Sequence, residues 1–134
     1  MSTMKKEVIN PWTWQEQYGF VQGNKVTGAA TTLYLAGQAP VDEQGRCVHP
    51  GDMRKQLEQV IHNIETVLRQ ANMDFTQVVR FNVYTVDVPE LLAAHDHMVE
   101  LLKARGCRHV GTLLGVTALA DPDALVEIEV TAVS

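Results

Sequence analysis

Residues 125–134 alternate between apolar and polar side chains with almost no interruption. The apolar positions are Val126, Ile128, Val130 and Ala132, and the polar positions between them are Glu127, Glu129 and Thr131. Because successive side chains of a strand point to opposite faces, this period of two predicts a strand that is buried on one face only. Glu127 and Glu129 then lie about 7 Å apart on the other face. They are either solvated residues of an exposed sheet face or groups for acid–base catalysis.

The composition is that of an ordinary globular domain, since 46% of the 134 residues are hydrophobic and 20% are charged. We expect one domain over residues 1–134. The formal net charge of −5 disfavours nucleic-acid partners and anionic membrane surfaces. No apolar run approaches the roughly 20 residues that span a bilayer, and none follows the N-terminal lysines, so we expect no membrane span and no signal peptide. Two cysteines without C-x-x-C spacing favour the reducing cytoplasm.

The pattern of apolar residues and turn residues predicts five strands and two helices. The strands are placed at 17–22, 32–36, 78–86, 109–118 and 124–133, and the helices at 52–71 and from Asp87 to Gly106. A further strand near the start is uncertain, which gives the order β-β-β-α-β-α-β-β. Asp52 is suited to cap the first helix, and Pro89 suits the first turn of the second.

Two helices against one mixed, six-stranded sheet make an α+β two-layer sandwich. In this architecture the helices cover one face of the sheet. The other face carries Arg80, Asn82, Tyr84 and the two glutamates among apolar residues. Cyclic association of identical subunits is a simple way to bury such a face.

Metal, nucleotide and nucleophile signatures are weak in this sequence. His95 and His97 point about 200° apart on a helix, and no set of three or four zinc ligands with known spacing can be assembled. The glycines are scattered, without a P-loop lysine. Cys107, two residues before His109, is either a nucleophile or a small packing residue. We therefore expect no metal and no cofactor.

Several segments, taken in order along nearly the whole chain, resemble the Rid superfamily of reactive-intermediate deaminases, also called the YjgF family. They are Leu33–Pro40 (LYLAGQAP), Gln56–Leu68, Val78–Tyr84, Gly115–Leu119 and Leu125–Glu129 (LVEIE). The resemblance implies a chorismate-mutase-like fold and a homotrimer with three clefts between neighbouring subunits. It also implies hydrolysis of enamines or imines to the keto compound and ammonia. In such enzymes an arginine binds the substrate carboxylate and a glutamate holds water.

The resemblance assigns roles to residues one by one. Glu129 matches the glutamate of the family, and Tyr18 matches the aromatic residue that closes the pocket. His95 stands where an asparagine is frequent. Ala36 replaces the usual serine before Gly37, which is expected at the substrate.

The arginine of the family falls on Gly111 in this alignment. The substrate-side positions that go with it are Thr112, Leu114 and Val116. Arg108 lies three residues earlier, about 10 Å away and on the opposite face of an extended strand, so whether it replaces the missing arginine stays open. Because arginine grips a carboxylate with two parallel hydrogen bonds, we expect little activity on 2-aminoacrylate and a pocket suited to a larger or uncharged substrate. Arginine introduced at Gly111 is expected to restore carboxylate affinity.

Two classes of function remain open on the sequence alone. The first is an imine or enamine hydrolase or tautomerase, in which Glu129 activates water and His95 carries a proton near neutral pH. In the alternative reading, His95 is a core residue of its helix stripe. The second class is a non-catalytic trimer that binds or senses a small ligand in the same cleft.

Overall fold

A computed structural model describes residues 4–134 and shows six strands and three α-helices over that range. In chain order the elements are β1 (Lys5–Ile9), β2 (Gly23–Thr27), β3 (Thr32–Tyr34), α1 (Met53–Gln70), β4 (Val78–Thr85), α2 (Val88–Ala93), α3 (His95–Ala104), β5 (Leu113–Gly115) and β6 (Val126–Val133). Two 3₁₀ helices lie at Trp14–Tyr18 and Phe75–Gln77. The predicted α+β class is confirmed. None of the helices in this range has both the length and the apolar character needed to cross a bilayer.

The strands form two sheets instead of the single sheet that was predicted. The main sheet has the order β3-β6-β4-β5, with β4 and β6 antiparallel at its centre and β5 parallel to β4. β1 and β2 pair only with each other. The Asn24 side chain joins this pair to the main sheet, because its amide donates to the carbonyls of Val79 (3.0 Å) and Arg108 (3.1 Å). A side-chain bridge of this kind leaves no signal in hydropathy.

The alternation of β6 is confirmed residue by residue. Val126, Ile128, Val130 and Ala132 are buried, and the residues between them are only half-buried. The buried face packs with Phe81 and Val83 of β4 against the helices. The opposite face of the main sheet is not covered by any helix among the described residues.

Helix α1 follows the prediction for residues 52–71 closely. Asp52 caps it, since its carboxylate accepts from the backbone N–H of Lys55 at 3.1 Å. Its apolar stripe is fully buried at Leu57, Ile61 and Ile64. An amphipathic helix gains most of its stability from this kind of contact with the sheet.

Gln56 is the polar exception on the buried side of α1. It is fully buried, and its amide nitrogen donates to the carbonyls of Val48 (3.1 Å), His49 (3.2 Å) and Asp123 (3.0 Å). Its amide oxygen accepts from the backbone N–H of Leu125 at 2.8 Å. One side chain therefore ties the loop before α1 to the loop that leads into β6, and a buried amide satisfied in this way is stable.

The predicted second helix is present, but it is divided at Ala94 into α2 and α3. Asp87 caps α2 by accepting from the N–H of Glu90 at 3.1 Å, as its position before Pro89 suggested. Leu91 of α2 is fully buried, whereas the neighbouring Leu92 is exposed. The division at Ala94 places α3 against the end of the first 3₁₀ helix.

Two predicted strands are largely wrong. Residues 14–18 form a 3₁₀ helix that ends at Gly19, whose φ of 79° requires glycine, so the aromatic run at 17–22 is not a strand. The strand expected over 109–118 is regular only at 113–115, with one isolated bridge between Val110 and Arg80. The irregular stretch contains the close backbone approach of Gly111.

Candidate functional site

A cavity of about 370 Å³ lies between the inner face of β4, helix α3, the first 3₁₀ helix and the segment that enters β5. The apolar part of its wall comes from Phe20, Phe81, Val83, Met98, Val99 and Leu102. Tyr18, His95, His109 and Thr112 supply the polar atoms. A largely apolar concavity of this size with a few polar groups is typical of small-molecule sites.

The cavity carries no formal charge from the residues that line it. Within the described part of the chain, its lining includes no lysine, arginine, aspartate or glutamate. Burial lowers the pKa of His109 to about 4, and the neighbouring His95 adds to that effect. Burial also lowers the pKa of His95, against a smaller opposing effect of Asp96. Both imidazoles are therefore neutral at pH 7.

Cys107 and His109 lie side by side but do not form a reactive pair. The Cys107 sulfur is 3.8 Å from His109 Nδ1, and the His109 ring packs on Phe81 with centroids 4.9 Å apart. Burial raises the pKa of Cys107 to about 12. A neutral thiol beside a neutral imidazole is a packing contact, because the thiolate is the nucleophile.

The second group of polar residues lies on the uncovered face of the main sheet. Glu129 Oε1 accepts a hydrogen bond from the Tyr84 hydroxyl and another from Asn82 Nδ2 at 3.2 Å. These two hydrogen bonds, together with the charge of Arg80, hold the pKa of Glu129 below its ordinary value. Glu129 is thus an ionised acceptor at neutral pH and not a general acid with a raised pKa.

Asn82 links this carboxylate to the rim of the cavity. Its amide nitrogen donates to Glu129, and its amide oxygen accepts from the backbone N–H of Thr112 at 3.1 Å. Thr112 lines the cavity, whereas Glu129 does not. Within one chain, the Glu129 carboxylate and the cavity therefore lie on opposite sides of the sheet, and Asn82 connects them at the β5 edge.

The structure brings half of the predicted site residues together. Tyr18, His95, Gly111 and Thr112 line the cavity. Tyr18 and His95 are in edge-to-face contact, with ring centroids 6.1 Å apart.

The other predicted residues lie elsewhere. Leu114 is the register partner of Tyr84 and projects, half-exposed, from the uncovered face, as Glu129 does. Gly37 packs beside the Glu127 carboxylate, where an added Cβ would come within 2.3 Å of an oxygen. Val116 continues the edge of the sheet, and its N–H donates to Thr85.

Gly111 is a glycine because the backbone of β4 passes directly beside it. A Cβ built there would lie 1.8 Å from the Phe81 carbonyl oxygen. The expectation that arginine introduced at Gly111 restores carboxylate binding stays a prediction, and it requires β4 to shift, since any side chain at this position meets the Phe81 carbonyl. Arg108 is no replacement within one chain, because it lies on a separate concavity with Glu16 and Lys103.

His109 is the cavity residue that sequence reasoning assigned to other chemistry. The sequence places it only beside the possible nucleophile Cys107, and its position inside the cavity follows from the irregular path of residues 107–111. No group of three or more His, Cys, Asp or Glu within residues 4–134 has a geometry that would hold a metal ion.

Residues 17–134 match the family described as Endoribonuclease L-PSP. The 3-aminoacrylate deaminase RutC of Acinetobacter baylyi is 30% identical over 106 residues, which are 76% of this chain and 79% of that protein. The 2-iminobutanoate/2-iminopropanoate deaminase of Capra hircus is 32% identical over 48% of this chain and 47% of the relative. The chain spans about half the length of the first curated relatives that it matches.

A solved structure extends the likeness to the fold. The crystal structure of YyfB from Yersinia pestis, described as a Rid-family protein of unknown function, is 33% identical with a TM-score of 0.86. The alignment covers 96% of this chain and 98% of YyfB.

The close approach at Gly111 gives a stability test. We expect Gly111→Ala to lower the free energy of unfolding by about 1–3 kcal/mol, because overpacking forces the backbone to shift. Urea unfolding measures the change. Gly23→Ala is the control, since a Cβ there meets Ile9 at an ordinary 3.4 Å. Equal stabilities of the two variants would contradict the close approach.

The hydrogen bond from Tyr84 gives a pH test. Tyr84→Phe removes the donor, so we expect the pKa of Glu129 to rise towards its ordinary value, as measured by NMR titration of the side-chain carboxyl. A lowered native pKa of Glu129 stabilises the fold at pH values above the unfolded-state pKa of this carboxyl group. We therefore expect Tyr84→Phe to have a lower free energy of unfolding than the wild type at neutral pH. The loss should fade as the pH falls through the native pKa of Glu129.

Tyr34→Phe is the matched control, because Tyr34 is an exposed tyrosine at the β3 edge of the same sheet. An unchanged Glu129 titration in Tyr84→Phe would show that the phenol does not hold the carboxylate.

Proposed function

Because this chain belongs to the Rid/YjgF superfamily and has its chorismate-mutase-like fold, we propose that it hydrolyses a small imine or enamine to the carbonyl compound and ammonia. The deaminase names of its relatives support the reaction class. The observation that carries the proposal for this chain is His95, a neutral imidazole in contact with Tyr18 inside a cavity of ligand size.

The proposed reaction needs one proton carrier and one water molecule. Water adds to the C=N carbon while His95 takes a proton from it, and the protonated imidazole returns that proton to the nitrogen. In the second half, His95 takes the hydroxyl proton of the carbinolamine and delivers it to the amine nitrogen, so that C=O forms as the C–N bond breaks and NH3 leaves. An enamine is first protonated on carbon to give the imine. A histidine that is neutral at pH 7 is suited to both directions of transfer.

The cavity lining also supports the expectation of little activity on 2-aminoacrylate. A carboxylate that enters the cavity meets no lysine or arginine among the lining residues that the structure describes. Burying an unpaired charge is strongly unfavourable, so amino-acid-derived enamines should bind weakly.

In the proposed homotrimer, Glu129 contributes to the reaction across the boundary between two subunits. In a single chain the carboxylate is on the uncovered face, away from the cavity. If three copies cover these faces, Glu129 of one copy lies at a seam where it is able to hold the attacking water for the cavity of the next. Its low pKa suits a group that accepts hydrogen bonds from water.

A non-catalytic binding trimer is the second candidate, and the apolar, uncharged cavity favours it as much as it favours an enzyme. Glu129→Ala separates the two, because ligand binding should survive in a binder while turnover should collapse in an enzyme. The acidic net charge of −5 gives little support to RNA cleavage, since RNA binding depends on basic surface.

The catalytic proposal is tested by ammonia release from imines generated in solution, measured above the rate in buffer. We expect His95→Gln to lower kcat by about 10²- to 10⁴-fold, the usual contribution of a general acid–base group. The matched control is His62→Gln, since His62 is an exposed histidine of α1 that does not line this cavity. No release above the buffer rate from any imine would favour the binding trimer.

The assembly is tested by light scattering in solution. We expect a mass about three times the 14.9 kDa of one chain. Leu114→Glu places a charge among the apolar residues of the uncovered face and should shift the mass towards one chain. The control Leu92→Glu changes an exposed leucine on helix α2. A wild-type mass equal to one chain would contradict the trimer.

A further inference from the structure

Aromatic and imidazole rings form a large part of the cavity wall. Tyr18 and His95 meet edge to face at 6.1 Å, and Phe81 and His109 pack at 4.9 Å. The Phe20 ring also lines the cavity and contacts the Trp14 ring edge to face, with ring centroids 5.9 Å apart. These ring–ring contacts hold the wall residues in place. Because aromatic rings prefer to pack edge to face or offset against each other, such a wall favours a ligand that carries a ring of its own.

The polar atoms of the cavity are few. Thr112 lies at the exposed rim, beside the edge of β5, and His95 is half-buried on α3. The Tyr18 hydroxyl and the buried His109 imidazole complete the polar set, and the remaining side chains of the wall are aliphatic or aromatic. A ligand that fits therefore carries no charge and only a few hydrogen-bonding groups on a largely apolar body.

We propose that the cavity accepts an uncharged molecule with an aromatic body and few polar groups, and that the substrate is an aryl or arylalkyl imine that lacks a carboxylate. The identification as an imine rests on the proposed function, whereas the ligand class rests on the walls of the cavity. The reaction that supplies such a substrate is the two-electron oxidation of a primary amine, since oxidation of an amino acid leaves the carboxylate in place.

Binding is tested with three small molecules that share one ring. Benzamide is neutral, benzoate is anionic and benzylamine is cationic at pH 7. We expect calorimetry to give benzamide an affinity at least about tenfold higher than either ion, because each ion would lose its hydration without gaining a partner. Tightest binding by benzoate or by benzylamine overturns the proposal.

Thr112→Trp locates the binding. The bulky side chain fills the rim of the cavity, while the backbone N–H that donates to Asn82 is kept. We expect benzamide affinity to fall at least about tenfold, and Leu92→Ala, which removes an exposed leucine outside the cavity, to leave it unchanged. Benzamide binding that is unaffected in a folded Thr112→Trp variant overturns the proposal.

Turnover separates this inference from the proposed function. The imine of 2-phenylethylamine, made in solution by an amine oxidase, is compared with the imine of phenylalanine, made by an amino-acid oxidase. We expect faster ammonia release from the first. Faster release from the second would contradict the substrate class while supporting imine hydrolysis. Selective benzamide binding without turnover of either imine would contradict imine hydrolysis while supporting the ligand class.

Discussion

The antiparallel pairing of β4 with β6 is the constraint on which the rest of the molecule depends. Each strand has eight residues, and their register places Asn82 opposite Glu129 and Val83 opposite Ile128. Because side chains alternate along both strands, the same pairing sends apolar residues towards the helices and polar residues to the uncovered face. The cavity and the carboxylate cluster are thus two products of one register. A slip by one residue would exchange them.

The sequence was most informative where periodicity was long and caps were clear. Residues 52–71 predicted α1 because the apolar stripe and the Asp52 cap point to the same boundaries. The alternation of 125–134 predicted both faces of β6. The resemblance to the Rid superfamily identified the family, which composition does not reveal, and the family match over residues 17–134 agrees with it.

Sequence reasoning failed where tertiary contacts override local pattern. The aromatic run at 17–22 reads as a strand by composition, but Gly19 ends a 3₁₀ helix there. The β1–β2 pair is joined to the main sheet by the Asn24 side chain, which no periodicity reveals. The site was predicted in part, because an alignment places Tyr18 and His95 but says nothing about which side of the sheet Glu129 faces relative to them. The position of His109 in the cavity depends on an irregular segment in the same way.

The close approach of Gly111 to the Phe81 carbonyl also bears on how this protein can diversify. An arginine at that position requires β4 to shift, because the Phe81 carbonyl occupies the space of its Cβ. Movement of β4 would have to come first, and it would disturb the pairing with β6 before any benefit to a new ligand. Substitutions that give affinity for acidic molecules are therefore expected at other rim positions, such as Thr112, where the backbone need not move.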